Sequence, residues 1–512
     1  MPEPKRSDDL PELRQARALW ARHQIPTALR LFHQTVRRHP RHALALADAS
    51  RALGSVYQYR RAEALLERLV EIGRGRSEIL HLAAQSYRLI RRPERAIECF
   101  ERALATGTPN ADAHLEMALL LERCNQVDRA TEHIAARLTL KPGDDEARTV
   151  RGRLLRRAGN LTASERLLQA VAEKRSAHWL TRMRAYAELA AVHDQAASYD
   201  DAWDAMMAAK SMARHPAGAA RRHRDQMMEP LSTLLRDVTP AHFDRWRRAA
   251  VDHASQSVAL LTGLPRSGTT LLERILAAHS QITTADEWDA FPRLIFPTML
   301  GSVPLHRASI QWLDQLAEAK LARQRRVYLR CLRAALARTF EGQTLVDKNP
   351  SLLPLLPVYR RLFPDGKLII VLRDPRDVLV SCLMTHFPLN DFSVDFLNLD
   401  SAAARVVTDL NIWIHLRDLI GGGCVELRYE DLVNDWPAAV LPVLEQLGLK
   451  FQGGLTDYLR SQSIGHVNSP SYEAVCQPIY TESIGRWHHY ARHLEPVLSR
   501  FEPLLRTLGY EL

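Results

Sequence analysis

Cysteine is scarce and scattered along this chain. Cys99, Cys124, Cys331, Cys382, Cys424 and Cys476 form no Cys-x-x-Cys pair, so neither a zinc framework nor a disulfide scaffold is expected, and a reducing compartment fits best. No apolar run approaches the roughly 18 residues that a membrane span requires. The opening MPEPKRSDDLPEL lacks the apolar core of a signal peptide. The expectation is a cytoplasmic protein with no membrane span. Basic runs interleaved with aromatic residues are also missing, which argues against nucleic acid as a partner.

What remains is ordinary globular composition. Of 512 residues, 46% are hydrophobic and 25% charged, enough for two to four domains with sizeable cores. The net charge of +10 favours anionic ligands or acidic surfaces, although a generally arginine-rich composition explains the charge equally well.

A period runs through the first half. Ala28, Ala62, Ala96 and Ala130 recur every 34 residues, and Ser50, Ala84, Ala118 and Gly152 form a second series with the same spacing. Small residues at fixed places in paired amphipathic helices let neighbouring helices approach closely. The spacing resembles the tetratricopeptide repeat. Looser units follow near Gly159-Asn160-Leu161 and near Tyr199-Asp200-Asp201-Ala202, as expected of end repeats that cap a stack. The expected division is a helical-repeat array over 1–235, a linker over 236–254 and a second domain over 255–512. The array reads either as a spacer or oligomerisation element, or as a groove that docks a peptide or protein.

The chemistry is concentrated at residues 258–277, VALLTGLPRSGTTLLERILA. An apolar strand runs into a tight loop and then an amphipathic helix, the arrangement that gathers backbone N–H groups and a positive helix end around an anion. Gly263, Gly268 and Thr270 occupy Walker A positions, but Thr269 replaces the lysine. Arg266 supplies a positive charge instead. The loop therefore suits a phosphate or sulfate better than a nucleoside triphosphate with magnesium. Further strand-like segments, at 283–285, 344–346, 367–372 and 424–429, alternate with helices and end in charged motifs: Asp286-Glu287, Asp347-Lys348-Asn349-Pro350, Arg373-Asp374-Pro375-Arg376-Asp377 and Glu430-Asp431. This pattern predicts a parallel sheet with one ligand site beyond the carboxyl ends of its strands.

PRSGTT after a strand, followed by VLRDPRDVLVS, resembles the sulfotransferase family that uses 3′-phosphoadenosine 5′-phosphosulfate (PAPS). The DKNP and RYEDL segments and the tail QPIYTESIGRW are similar to tyrosylprotein sulfotransferases and to bacterial proteins that join tetratricopeptide repeats to such a domain. The resemblance covers about 255–495. It implies an all-α tetratricopeptide-repeat solenoid followed by an α/β, P-loop-like sulfotransferase domain with a central parallel sheet. It also implies PAPS as co-substrate and no metal.

Carried onto this sequence, the resemblance gives Arg266, Ser267, Gly268, Thr269 and Thr270 the 5′-phosphosulfate, and Arg373 and Ser381 the 3′-phosphate. Glu287 becomes the base, with Asp286 or Asp289 as alternatives because DEWD departs from the paired-glutamate form of the family. Lys348, together with Arg266, stabilises the bridging oxygen. Tyr429 packs on the adenosine or belongs to the core. Ser471 and Arg486 contact the cofactor from a tail read as a mobile loop, with Arg486 reaching the 3′-phosphate. The competing arrangements are ion pairs of Arg373 with Asp374 or Asp377, and of Lys348 with Asp347. The acceptor is a protein tyrosine or a carbohydrate. A P-loop kinase and a nucleotide-binding scaffold without catalysis are the alternative functions.

Overall fold

The structure, a computed structural model, describes residues 9–214, 216–249, 257–455, 472–473 and 477–512. It divides into two compact units, Met1–Ala147 with Arg330–Arg338, and Arg148–Leu329 with Thr339–Leu512. The N-terminal region is all-helical, and an α/β region with a parallel sheet follows it.

The 34-residue period becomes a period of helix starts. First helices begin at Ala43, Ser77, Ala111, Asp145 and Trp179, and second helices at Ile25, Tyr59, Pro93, Val127 and Leu161. Just before each of these second helices, the chain turns through a left-handed residue: His23, Tyr57, Arg91, Asn125 and then Gly159. One such residue reverses the backbone between two antiparallel helices, and only the last of the five is a glycine, which adopts that conformation without strain. The alanines of the sequence period are the contact points. Ala28, Ala62, Ala96, Ala130, Ala84 and Ala118 are all fully buried. Within the first unit, buried Arg137 is held by Asp144 and Asp112 across successive helices.

The second unit carries five parallel strands, β1 (Val258–Gly263), β2 (Ile282–Asp286), β3 (Thr344–Lys348), β4 (Lys367–Leu372) and β5 (Cys424–Arg428), in the order β2-β3-β1-β4-β5. The most continuously apolar runs, β1 and β4, lie side by side, with Leu261 opposite Ile369 and Gly263 opposite Val371. Strands covered on both faces need such runs. One face packs Ala259, Leu261, Ile369 and Val371 against Leu272, Ile275 and Leu276 of the Thr269–Ala277 helix and Val440 and Leu444 of the Trp436–Leu447 helix. Because β1 is flanked by β3 and β4, the loop leaving it stands where connections depart to either side, the position at which open α/β sheets bind ligands.

Candidate active site

The loop after β1 is shaped by two glycines. Gly263 has φ +150°, and a Cβ there would lie 2.4 Å from the Val371 carbonyl oxygen. Gly268 has φ +102°, and its Cβ would meet the Tyr429 ring at 2.5 Å. Both positions exclude a side chain. Arg266 also takes a left-handed φ of +67°, a conformation that is costly for a residue with a Cβ. Ser267 Oγ donates to the Leu264 carbonyl at 2.7 Å, closing the loop on itself. Thr269 and Thr270, both buried, open the helix behind Gly268.

Two charged clusters meet this loop. The first stands at the ends of β2 and β3. Lys348 is fully buried, and its Nζ lies 2.5 Å from Asp286 Oδ1, 3.0 Å from Glu287 Oε1 and 3.2 Å from Thr270 Oγ1. Burial opposes its charge, but Asp286, Glu287 and Glu273 outweigh burial and raise its pKa. Glu273, one turn into the helix, is pushed up by burial and then by Asp286, to about 7. Glu287 follows β2 in a left-handed conformation (φ 53°), fixed by its N–H donating to the Lys348 carbonyl at 2.9 Å.

Successive strand residues point to opposite faces, and this separates Asp347 from Lys348. Asp347 accepts a hydrogen bond from the Tyr328 hydroxyl, and burial pushes its carboxyl up to about 7. The ion pairs of Lys348 go to Asp286 and Glu287, in place of the Asp347 pairing that adjacency in DKNP offered. Of the alternative bases, Asp286 touches Lys348, whereas Asp289 pairs with Arg293 at 2.7 Å.

The second cluster follows β4. Arg266 Nε donates to Ser381 Oγ at 3.0 Å, and Arg373 Nη1 donates to the Arg266 carbonyl at 2.9 Å. Arg373 lies over the Tyr429 ring at 4.5 Å, and its buried Nε has no hydrogen-bond partner among the described residues. The Pro375–Leu383 helix that carries Ser381 is capped by Asp374, which accepts from the Arg376 N–H at 2.8 Å and also pairs with the Arg376 guanidinium. Asp374 is thus occupied by Arg376, and the Asp377 carboxylate is 3.8 Å from Arg373. Burial, then the nearby Arg373 and Arg486, push Arg266 below the usual arginine range.

The tail is tied to this cluster. Asp377 accepts from the N–H groups of Gly485 and Trp487, both at 2.8 Å, and Arg373 donates to the Ser483 carbonyl. Arg486 is directed to Asp194 at 2.7 Å, and Tyr490 shares the same carboxylate. His489 stacks on Tyr199. Ser471, with Gly465 and Pro470, lies outside the described residues. Among the described residues no group of three His, Cys, Asp or Glu side chains is placed to hold a metal ion; the three carboxylates of the first cluster surround the Lys348 ammonium instead.

Three residues central to this geometry escaped the sequence reading: Glu273, Asp194 and the docking role of Asp377. Glu273 had a local signal, a carboxylate one turn after Thr270 among apolar neighbours. Asp194 and Asp377 had none, because their partners lie 292 and 108 residues away.

The loop after β1 thus lies between one cluster of arginines and one lysine held by carboxylates. Residues 259–453 match the sulfotransferase family. A sulfotransferase-family domain therefore occupies this part of the chain, after a helical-repeat region. An uncharacterised protein of Aquifex aeolicus is 25% identical over 324 residues, 62% of this chain and 41% of that protein. Protein-tyrosine sulfotransferase A of Caenorhabditis elegans is 23% identical over 270 residues, 49% of this chain and 66% of the enzyme. The sulfotransferase domain of the Synechococcus PCC 7002 olefin synthase aligns with a TM-score of 0.37 at 22% identity, over 51% of this chain and 98% of that domain. The chain thus spans less than two thirds of the length of these two relatives.

Proposed function

We propose that this protein transfers a sulfuryl group from PAPS to an acceptor hydroxyl of a protein tyrosine or a carbohydrate, and that the repeat array recruits the acceptor or a partner. The observation that carries this reading is the single loop, 266–270, touching both charged clusters: Thr270 contacts Lys348, and Arg266 contacts Ser381. A donor with phosphate groups at both ends of a ribose requires two separated anion sites.

The residues suit such a donor. The Nε of Arg373, without a hydrogen-bond partner among the described residues, is a buried guanidinium donor of the kind that an incoming phosphate satisfies. Gly268 lets the Tyr429 ring pack directly on the loop backbone, and the helix behind it has its N-terminal N–H groups at the loop. Arg373 and Ser381 would hold the 3′-phosphate, and residues 266–270 the phosphosulfate.

The donor supplies an activated sulfuryl group. Glu287, oriented by its ion pair with Lys348, takes the proton that the acceptor hydroxyl loses. Lys348 and Arg266 offset the charge that collects on the departing phosphate oxygen. Positioning and electrostatics account for the rest of the rate, as in phosphoryl transfer. The tyrosine acceptor draws support from the printed name of the C. elegans relative, and a docking role for the repeats from the concave surfaces that helical-repeat stacks generally form.

The test is sulfate transfer from radiolabelled PAPS to tyrosine-containing peptides and oligosaccharides, with excess chelator present. Glu287→Gln is expected to keep donor binding while turnover falls roughly 10²–10⁴-fold, the usual contribution of a general base. Unchanged turnover removes Glu287 from the role. Phosphoryl transfer from ATP in place of sulfate transfer would favour the kinase alternative.

A further inference from the structure

A cavity of about 280 Å³ opens between the Trp179–Gln195 and Tyr199–Ala213 helices and the segment from His386 to Leu397. At about 30 Å³ per water-sized group it has room for roughly nine such groups. Its walls are apolar and rich in methionine, with Met183 and Met206 buried beside Leu397 and Met384 close behind them. Unbranched thioethers fit irregular ligands readily.

The cationic side chains in this cavity have no acidic partner in its lining. Lys210 and Arg184 line it beside His386, which burial holds neutral by pushing its pKa down to about 4, and no carboxylate does. Lys210 is only 6% exposed, yet among the described residues its Nζ makes a single hydrogen bond, to the Thr385 carbonyl at 3.4 Å. Burying an ammonium group with so little compensation is unfavourable unless an anion completes the site. Burial pushes this amine down to about 7, the expected response of a lysine that lacks a counter-charge.

We propose that this cavity binds an amphipathic organic anion, an alkyl or aryl carboxylate of about eight carbons, with its charged end on Lys210 and its body against the methionine wall. The cavity adjoins the end of the helix that carries Ser381, because Thr385, whose carbonyl meets Lys210, donates its hydroxyl to the Ser381 carbonyl, but the proposal does not depend on the sulfuryl-transfer assignment.

The test is calorimetric titration of the full-length chain at pH 7 with octanoate, 1-octanol and octylammonium. Octanoate is expected to bind saturably and more tightly than either of the others. Lys210→Met, which keeps the length and removes the charge, is expected to weaken octanoate by roughly tenfold or more and to leave octanol nearly unchanged. Ala209→Leu, which fills the cavity, is expected to weaken both. Because Lys210→Met removes a buried charge, it is expected to fold, and a thermal melt checks this. No saturable octanoate binding, equal affinity for octanoate and octanol, or unchanged octanoate affinity in Lys210→Met overturns the proposal.

Discussion

Lys348 and Glu287 are bound to each other twice: Nζ lies 3.0 Å from Oε1, and the Lys348 carbonyl accepts the Glu287 N–H at 2.9 Å. The side-chain pair is thus set by the backbone pairing of the two strand ends, and Glu287 takes a left-handed φ to make it. A strained backbone held by its surroundings is a common mark of a working site.

The first prediction concerns the charge balance of that cluster. Lys348→Met leaves Asp286, Glu287 and buried Glu273 without their shared cation. Breaking one side of a buried ion pair costs about 3–5 kcal/mol, so the urea midpoint should fall substantially and the protonation of the remaining carboxylates should offset part of the loss below neutral pH. Denaturation curves at pH 5.5 and pH 8 measure both effects. A midpoint equal to wild type at pH 8 would show that Lys348 is not the counter-charge described.

Gly268→Ala is the second. The new methyl group would sit 2.5 Å from a Tyr429 ring carbon at a φ of +102°, so both the loop and the ring must move. Overpacking of this kind costs about 1–3 kcal/mol, and the displaced loop should bind PAPS at least tenfold more weakly. The double variant Gly268→Ala with Tyr429→Ala relieves the steric clash but not the backbone strain. Measured by thermal unfolding against the Tyr429→Ala single variant, Gly268→Ala is expected to cost less than it does in wild type but not nothing, and no cost at all in that background would assign the whole effect to the ring.

Much of this arrangement could be read from the chain, and what could not has a common cause. β1 and β4 were legible as continuous apolar runs and the other three strands as shorter strand-like segments running into charged residues, and the repeat because small residues recur at a fixed spacing. Loop 263–270 was legible because its glycines and hydroxyls are consecutive. Pairings set by strand alternation or by distant segments were not. Lys348 is adjacent to Asp347, yet the pleat directs the two to opposite faces. Arg486 was expected at a phosphate, and the structure pairs it with Asp194, a residue of a helix in the repeat series. No local pattern around either residue carries that information.

The third prediction tests the tail. Asp377 holds the N–H groups of Gly485 and Trp487, and removing an acceptor from two amides costs about 1–3 kcal/mol. Asp377→Ala should therefore accelerate amide exchange over residues 483–490 by one to two orders of magnitude, while exchange in β4 stays at its wild-type rate. Asp377→Asn, which keeps one acceptor oxygen, should fall between. Uniform acceleration of tail and sheet together would instead mean that Asp377 supports the domain as a whole.

The last prediction follows from Asp347, whose buried carboxyl is pushed up to about 7, against about 3.9 in an unfolded chain. Between these values the folded protein holds a proton at this site that the unfolded chain has lost. Folding stability from this group is therefore greatest below about pH 4 and declines as pH rises to about 7, where the buried carboxylate ionises. Asp347→Asn keeps an acceptor for the Tyr328 hydroxyl and cannot ionise. It should remove this decline and be more stable than wild type at pH 8 by on the order of 1–2 kcal/mol. Urea unfolding at pH 5, 6, 7 and 8 reads the slope directly. Parallel stability profiles for the two proteins would show that Asp347 is ionised throughout, and would place the pH dependence of the fold in the cluster around Lys348 instead.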